Sequence, residues 1–123
     1  MNGAKPTGEA VGWRILGFGR QPEVAAAIQV QLRGEGMQAR AFALTDDPDG
    51  DMRLASELRA ASYDGVAIGG FINGQDPAIR PTFETTAWFN RVLNLVHRHA
   101  PQAKVILVRN PDDVLPAIRR VLG

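Results

Sequence analysis

The chain alternates, four times, between a short apolar run typical of a β-strand and an amphipathic stretch typical of a helix. This alternation predicts one parallel sheet with helices on both faces, because each parallel strand pair needs a crossover that a helix can supply. The predicted strands and the helices that follow them are residues 14–19 and 22–33, 38–44 and 51–61, 65–72 and 82–99, and 104–110 and 112–122. We expect a single α/β domain at residues 11–123, preceded by a disordered tail at residues 1–10.

The strand sequences predict an order in the sheet. Residues 65–72 are apolar without alternation, as expected for a strand that is covered on both faces. Residues 38–44 include Arg40, and residues 104–110 begin with a lysine, so these two strands are expected at the edges. With right-handed crossovers the order becomes 2-1-3-4, with the first and fourth helices on one face. This three-layer α/β/α topology with a four-stranded parallel sheet resembles a shortened flavodoxin-like or Rossmann-like fold.

Composition limits the chemistry and the partners that we expect. Lys and Arg number 14 against 13 Asp and Glu, without a basic cluster, so no nucleic-acid partner is expected. The chain has no cysteine, which excludes disulfides, thiolate catalysis and cysteine-ligated metals. No apolar run approaches the roughly 20 residues of a membrane span, and residues 1–12 lack the apolar segment of a signal peptide. These features predict a cytoplasmic protein with no membrane partner.

A crevice is expected beyond the carboxyl ends of strands 1 and 3, because ligands of such sheets bind where the strand order reverses. It lies between the loops at residues 17–21 and 69–81, and the second loop is longer than is usual for these units. Its glycines allow close approach of the backbone, and its arginine can pair an anion through a planar fork. The predicted ligand-binding residues are Gly17, Gly19, Arg20, Gly69, Gly70, Asn73 and Arg80. For Arg80, a purely structural pairing with Asp76 or Glu84 is the alternative.

The first loop begins like a dinucleotide-binding fingerprint and then departs from it. Pro22 stands where the third glycine of the pattern belongs, and Glu23 places a negative charge in the first helical turn, where a pyrophosphate would bind. Asp46 or Asp47 follows strand 2, near the usual position of a ribose-binding acid. A nucleotide-dependent enzyme is therefore a weaker alternative, and the glycines can equally serve a tight turn alone. No cofactor is assigned.

Residue spacing does not indicate a catalytic or metal site. Ser56 and Ser62 belong to the second helix, away from a strand-to-helix elbow. His97 and His99 are two residues apart and point to different sides of a helix, unlike the i, i+4 pair of a zinc site. We therefore assign no catalytic residue and no metal ligand.

The third predicted helix is apolar over more of its circumference than one sheet face requires. Trp88 and Leu95 extend its apolar stripe onto a second face, with Arg91 nearby. Tryptophan and arginine are common anchors of interfaces, so Trp88, Arg91 and Leu95 predict the contact of a two-fold homodimer. The alternative is that Trp88 packs under the loop of residues 69–81 within one chain.

Two segments resemble small uncharacterised bacterial α/β proteins of the flavodoxin-like or Rossmann-like type. Residues 64–70 read Asp-Gly-Val-Ala-Ile-Gly-Gly, and residues 89–101 run from Phe-Asn-Arg-Val-Leu to His-Arg-His-Ala-Pro. The resemblance implies the fold and no activity. The sequence thus predicts a protein that binds a small polar ligand at the crevice; the alternative is a non-catalytic homo-oligomeric interaction module that uses the third helix.

Overall fold

The sheet has the predicted strand order. The computed structural model describes residues 12–123 and contains one parallel sheet, ordered β2-β1-β3-β4. Its strands are β1 (Arg14–Gly19), β2 (Gln38–Ala43), β3 (Gly65–Ile68) and β4 (Lys104–Leu107). Its helices are α1 (Pro22–Gly34), α2 (Pro48–Arg59), α3 (Gly70–Asn73), α4 (Phe83–His99) and α5 (Val114–Leu122), the last preceded by a 3₁₀ turn at Pro111–Asp113. The predicted tail at residues 1–10 lies outside the described residues.

Helices pack on both faces of the sheet. α2 and α4 cover one face, where the core includes Leu16, Phe18 and Ile68. α1 and α5 cover the other face, where the core includes Ile15 and Ile106. The predicted three-layer α/β/α architecture is therefore confirmed. Within residues 12–123, no helix has both the length and the apolarity needed to cross a membrane.

Helix α2 begins earlier than the sequence analysis predicted. The expected start was Asp51, whereas the helix begins at Pro48. Asp47 caps it, because its carboxylate accepts a hydrogen bond from the Gly50 N–H at 2.7 Å. Proline at the first helical position follows the usual preference, since that residue has no N–H to leave unpaired.

Strand β3 ends at Ile68, so the prediction of a strand through residue 72 is wrong. The next residues form the short helix α3, in which the N–H groups of Ile72 and Asn73 both donate to the Gly69 carbonyl. Gly74 ends this helix with φ of 80°, a left-handed conformation that glycine adopts without steric cost. Strand β4 is also shorter than expected, ending at Leu107. The crevice is thus bounded by a helical turn where an extended strand was expected.

The two faces of the sheet carry side chains of very different size. The face toward α2 and α4 presents large residues, among them Leu16, Phe18, Phe42, Val66 and Ile68. On the face toward α1 and α5, strands β1 to β3 present glycine and alanine apart from Ile15: Gly17, Gly19, Ala39, Ala41, Ala43, Gly65 and Ala67. Near the amino ends of the strands, the side chains of Ile106 and Leu122 fill the space over Gly65. Nearer the carboxyl ends the space over the small residues is not filled.

Candidate functional site

A cavity of about 200 Å³ lies between α1, α5 and the carboxyl half of the sheet. Its floor is the row Ala41, Gly17 and Ala67, which are direct neighbours across β2, β1 and β3. A Cβ atom added at Gly17 would meet the Cβ atoms of both alanines at 3.9 Å, which is ordinary van der Waals contact. The floor therefore has no side chain longer than a methyl group, and the cavity reaches down to the sheet backbone.

The walls of the cavity are apolar and come from both helices. α1 packs mainly against β2, and α5 mainly against β4, so a gap remains between the helices over β1 and β3. The residues that line this gap are Val24, Ala25, Ile28 and Leu32 of α1, together with Val108 after β4 and Val114 of α5. A molecule in the cavity would therefore exchange water for contact with aliphatic side chains on two sides.

The mouth of the cavity opens at the loops that follow β1 and β3. Arg20 lies there with its guanidinium stacked on the ring of Phe71, its Cζ atom 3.8 Å from the ring centroid. Phe71 in turn packs edge-on against Trp88, with the ring centroids 6.4 Å apart and an interplanar angle of 67°. Ile79, from the loop after α3, lies on the rim of the cavity. The cation–π contact places a positive charge beside an apolar opening.

Three other polar side chains border the mouth: Gln21, Asp76 and Asn110. The Asp76 carboxylate accepts a hydrogen bond from the N–H of Ala78 at 2.9 Å. The side-chain oxygen of Asn110 accepts from the N–H of Asp113 at 3.1 Å. Each of these groups thus accepts one hydrogen bond within its own turn.

The structure gathers most of the predicted ligand-binding residues around this cavity. Its lining includes Gly17, Gly19, Arg20, Gly69 and Gly70. Asn73 and Arg80 lie outside the lining. Arg80 is exposed, and its guanidinium is more than 4.0 Å from the carboxylates of Asp76 and Glu84, so the predicted structural pairing is not formed either.

Asn73 is a buried structural residue and not the ligand contact that the sequence analysis expected. It is 6% exposed, and its Nδ2 atom donates to the carbonyl oxygens of Ile68 at 2.7 Å and Val108 at 2.9 Å. Its Oδ1 atom accepts from the N–H of Gln75 at 2.7 Å. The side chain thus joins the end of β3, the end of β4 and the loop after α3. It holds the mouth in position without facing the cavity.

The three residues predicted for a dimer contact are all engaged within one chain. Trp88 is 3% exposed and packs in the core, which agrees with the intrachain alternative and leaves it no surface for a partner. Arg91 pairs with Asp46 at 2.8 Å and Asp51 at 3.1 Å, and these contacts hold its pKa above the ordinary value. Leu95 is partly buried against the same core. The homodimer therefore stays a prediction, and Trp88 has no exposed surface to offer it.

Asp113 holds together the segment that carries Asn110 and Pro111 to the cavity. Its carboxylate accepts hydrogen bonds from both terminal nitrogens of Arg120, each at 2.9 Å, and from the backbone N–H of Arg109 at 3.0 Å. The bond from Arg120, reinforced by the N–H of Arg109, holds the pKa of Asp113 below its ordinary value of 3.8. A lowered folded-state pKa means that the carboxylate stabilises the fold above its unfolded pKa and loses this contribution as the pH falls through the folded pKa.

Replacing Asp113 with asparagine is therefore expected to lower the free energy of unfolding at pH 7 by about 0.5–1 kcal/mol, since the ion pair is partly screened by solvent. The difference from wild type should shrink as the pH falls below the unfolded-state pKa and through the lowered folded-state pKa, below which the wild-type carboxyl is protonated too. Urea denaturation at a series of pH values measures this. Asp112→Asn, at the exposed neighbouring position, is the control, and an equal effect in both variants would contradict the assignment.

Sequence reasoning did not identify the helix α1 wall or the contribution of residues 108–114. The spacing of Val24, Ile28 and Leu32 indicates only the apolar stripe of a helix. One signal was present: in β1 to β3, glycine and alanine alternate with larger residues, which marks a sheet face that its covering helices cannot fill completely.

Comparison with known proteins does not supply an identity. No protein-family model matches the chain, and no curated protein is detectably similar to it. The resemblance to small bacterial α/β proteins therefore stays a prediction.

Proposed function

We propose that this protein binds one small, mostly apolar molecule in the cavity between α1 and α5. The observation that carries the proposal is the unfilled space over the row Ala41, Gly17 and Ala67, which lies between aliphatic walls and is bordered by the loops that follow β1 and β3. This position is the switch point of the strand order, where open α/β sheets bind their ligands.

The size and lining of the cavity favour a ligand that is compact and largely apolar. Engineered apolar cavities of about 150 Å³ stay dry and bind benzene, so a natural cavity of about 200 Å³ suits an aliphatic or aromatic group of somewhat larger size. Native cores rarely leave such space, because each unfilled volume costs the packing contacts of its lining. A space of this size with an opening is therefore better explained by an occupant than by imperfect packing.

This proposal changes the ligand class that the sequence suggested. A polar ligand was expected because the loops after β1 and β3 offered arginine and carboxamide groups. In the structure, Asn73 turns its carboxamide into the protein and Arg80 stands away from the cavity. The polar groups that remain are confined to the mouth, so the body of the ligand must suit the apolar interior.

Filling the cavity with protein atoms tests the proposal. Gly17→Val is expected to keep or slightly raise stability, by up to about 1 kcal/mol, because the added methyl groups are buried and valine favours strands. The same variant should abolish binding of hexan-1-ol. Titration of the ¹⁵N-labelled protein measures this: in wild type, saturable amide shifts are expected at Ala41, Ala67 and Val108.

Gly34→Ala is the matched control, since no atom lies within 4 Å of a Cβ atom at that position of α1. This variant should bind hexan-1-ol as wild type does. Binding by Gly17→Val that equals wild type, or the absence of saturable shifts in wild type at the cavity residues, would overturn the proposed function.

A further inference from the structure

We propose that the ligand is an amphipathic anion, an aliphatic or aromatic carboxylate whose apolar body occupies the cavity and whose charged group lies against Arg20. This inference rests on the proposed function and adds the chemical class of the ligand. It follows from the division of the site into an apolar interior and a mouth that contains a fixed cation.

Arg20 is held at the mouth by an aromatic ring and not by an acid. Its guanidinium lies over the ring of Phe71, with Cζ 3.8 Å from the centroid, and no carboxylate of the residues that the structure describes lies within 4.0 Å of it. Stacking engages the face of the guanidinium and leaves the N–H groups at its edge free to donate, which is the geometry that pairs with the two oxygens of a carboxylate. Phe71 is itself fixed by Trp88, so the cation is positioned before a ligand arrives.

The other polar groups at the mouth add donors. The oxygen of the Asn110 carboxamide already accepts from the N–H of Asp113, which leaves its NH₂ group as the available part of that side chain. Gln21 also borders the mouth and carries a second NH₂ group. A ligand head that accepts several hydrogen bonds matches this set better than one that donates them.

Acidic groups near the mouth would favour a different ligand, one with a cationic head group. Asp76 lines the mouth, where its Oδ1 atom accepts a hydrogen bond from the N–H of Ala78 and its Oδ2 atom remains able to accept another. Glu23 lies in the first turn of α1, where it is exposed and outside the lining. An amine ligand that approached Asp76 would bring its positive charge near that of Arg20, and the two would repel each other. The arrangement of charges therefore favours an anionic ligand.

Three probes of six carbon atoms each distinguish an anionic from a cationic or neutral ligand. They are hexanoate, hexan-1-ol and hexylamine, each titrated into the ¹⁵N-labelled protein at pH 7. Wild type is expected to bind hexanoate about tenfold more tightly than hexan-1-ol, the effect of one charge-assisted pair. Arg20→Gln should remove this preference and leave the affinity for hexan-1-ol within about twofold of wild type. Arg80→Gln, which changes an arginine outside the cavity, should keep the preference.

Each outcome decides one of the two proposals. Equal binding of hexanoate and hexan-1-ol by wild type, or an unchanged preference in Arg20→Gln, would contradict the proposal that the ligand is an anion. The proposal that the cavity binds a ligand would still hold. Tighter binding of hexylamine than of hexanoate would also contradict the anionic ligand, and would assign the contact with the charged head group to Asp76. If none of the three probes shifts the cavity residues, the proposed function itself is wrong.

Discussion

Gly70→Ala is expected to lower the free energy of unfolding by at least about 3 kcal/mol. A Cβ atom at Gly70 would overlap the carbonyl oxygen of Arg109 and lie 3.0 Å from that of Val108. Both obstacles are backbone atoms, which cannot rotate away as a side chain can. The beginning of α3 and the segment after β4 would have to separate, and both border the cavity.

Urea denaturation followed by circular dichroism measures this loss, which is a large fraction of the roughly 5–15 kcal/mol that stabilises an ordinary domain. Gly34→Ala provides the comparison, because the same change at an open position in α1 should be neutral or stabilise by up to about 1 kcal/mol. A Gly70→Ala variant as stable as wild type would show that α3 does not pack against the segment after β4 as described.

Asn73→Leu is expected to lower the free energy of unfolding by about 3 kcal/mol and the Tm by about 10 °C. The substitution keeps the size of the side chain and removes its carboxamide. The Val108 carbonyl and the Gln75 N–H would then lose the hydrogen bonds that Asn73 provides. Buried polar groups without partners cost more than the lost bonds are worth, because water is not there to replace them.

Asn94→Leu is the matched control, since Asn94 is exposed on α4 and its replacement should change stability by no more than about 0.5 kcal/mol. The hexan-1-ol titration gives a second measurement: a folded Asn73→Leu variant should bind the probe more weakly, because the loop after α3 loses its anchor. If the Asn73→Leu variant were as stable as wild type and bound the probe more weakly, Asn73 would be a ligand contact and not a structural residue.

The fold was largely predictable because its main signals are local. The alternation of strands and helices, the charged edge strands and the rule of right-handed crossovers together predict the order 2-1-3-4, which the structure confirms. The errors lie at boundaries. The apolar residues after Ile68 suit a strand or a buried helical turn equally, and the choice depends on Asn73 reaching the Val108 carbonyl, which is distant in the sequence.

The site was predictable in position and less so in chemistry. The switch-point rule places Gly17, Gly19 and Arg20 at the crevice, and the structure brings them to the cavity. The direction of a polar side chain in a long loop cannot be deduced from its type. Asn73 and Arg80 look equally suited to a ligand, yet one is buried against backbone carbonyls and the other is exposed.

The sequence by itself determined the strands, the helices, their order and the small residues of one sheet face, since each of these depends on neighbouring residues or on a general topological rule. Only the tertiary structure decided how far apart α1 and α5 lie over those small residues, and therefore that a cavity exists. That separation depends on how many side chains from distant parts of the chain pack together. The enclosed space, the stacking of Arg20 on Phe71 and the burial of Trp88 follow from that packing.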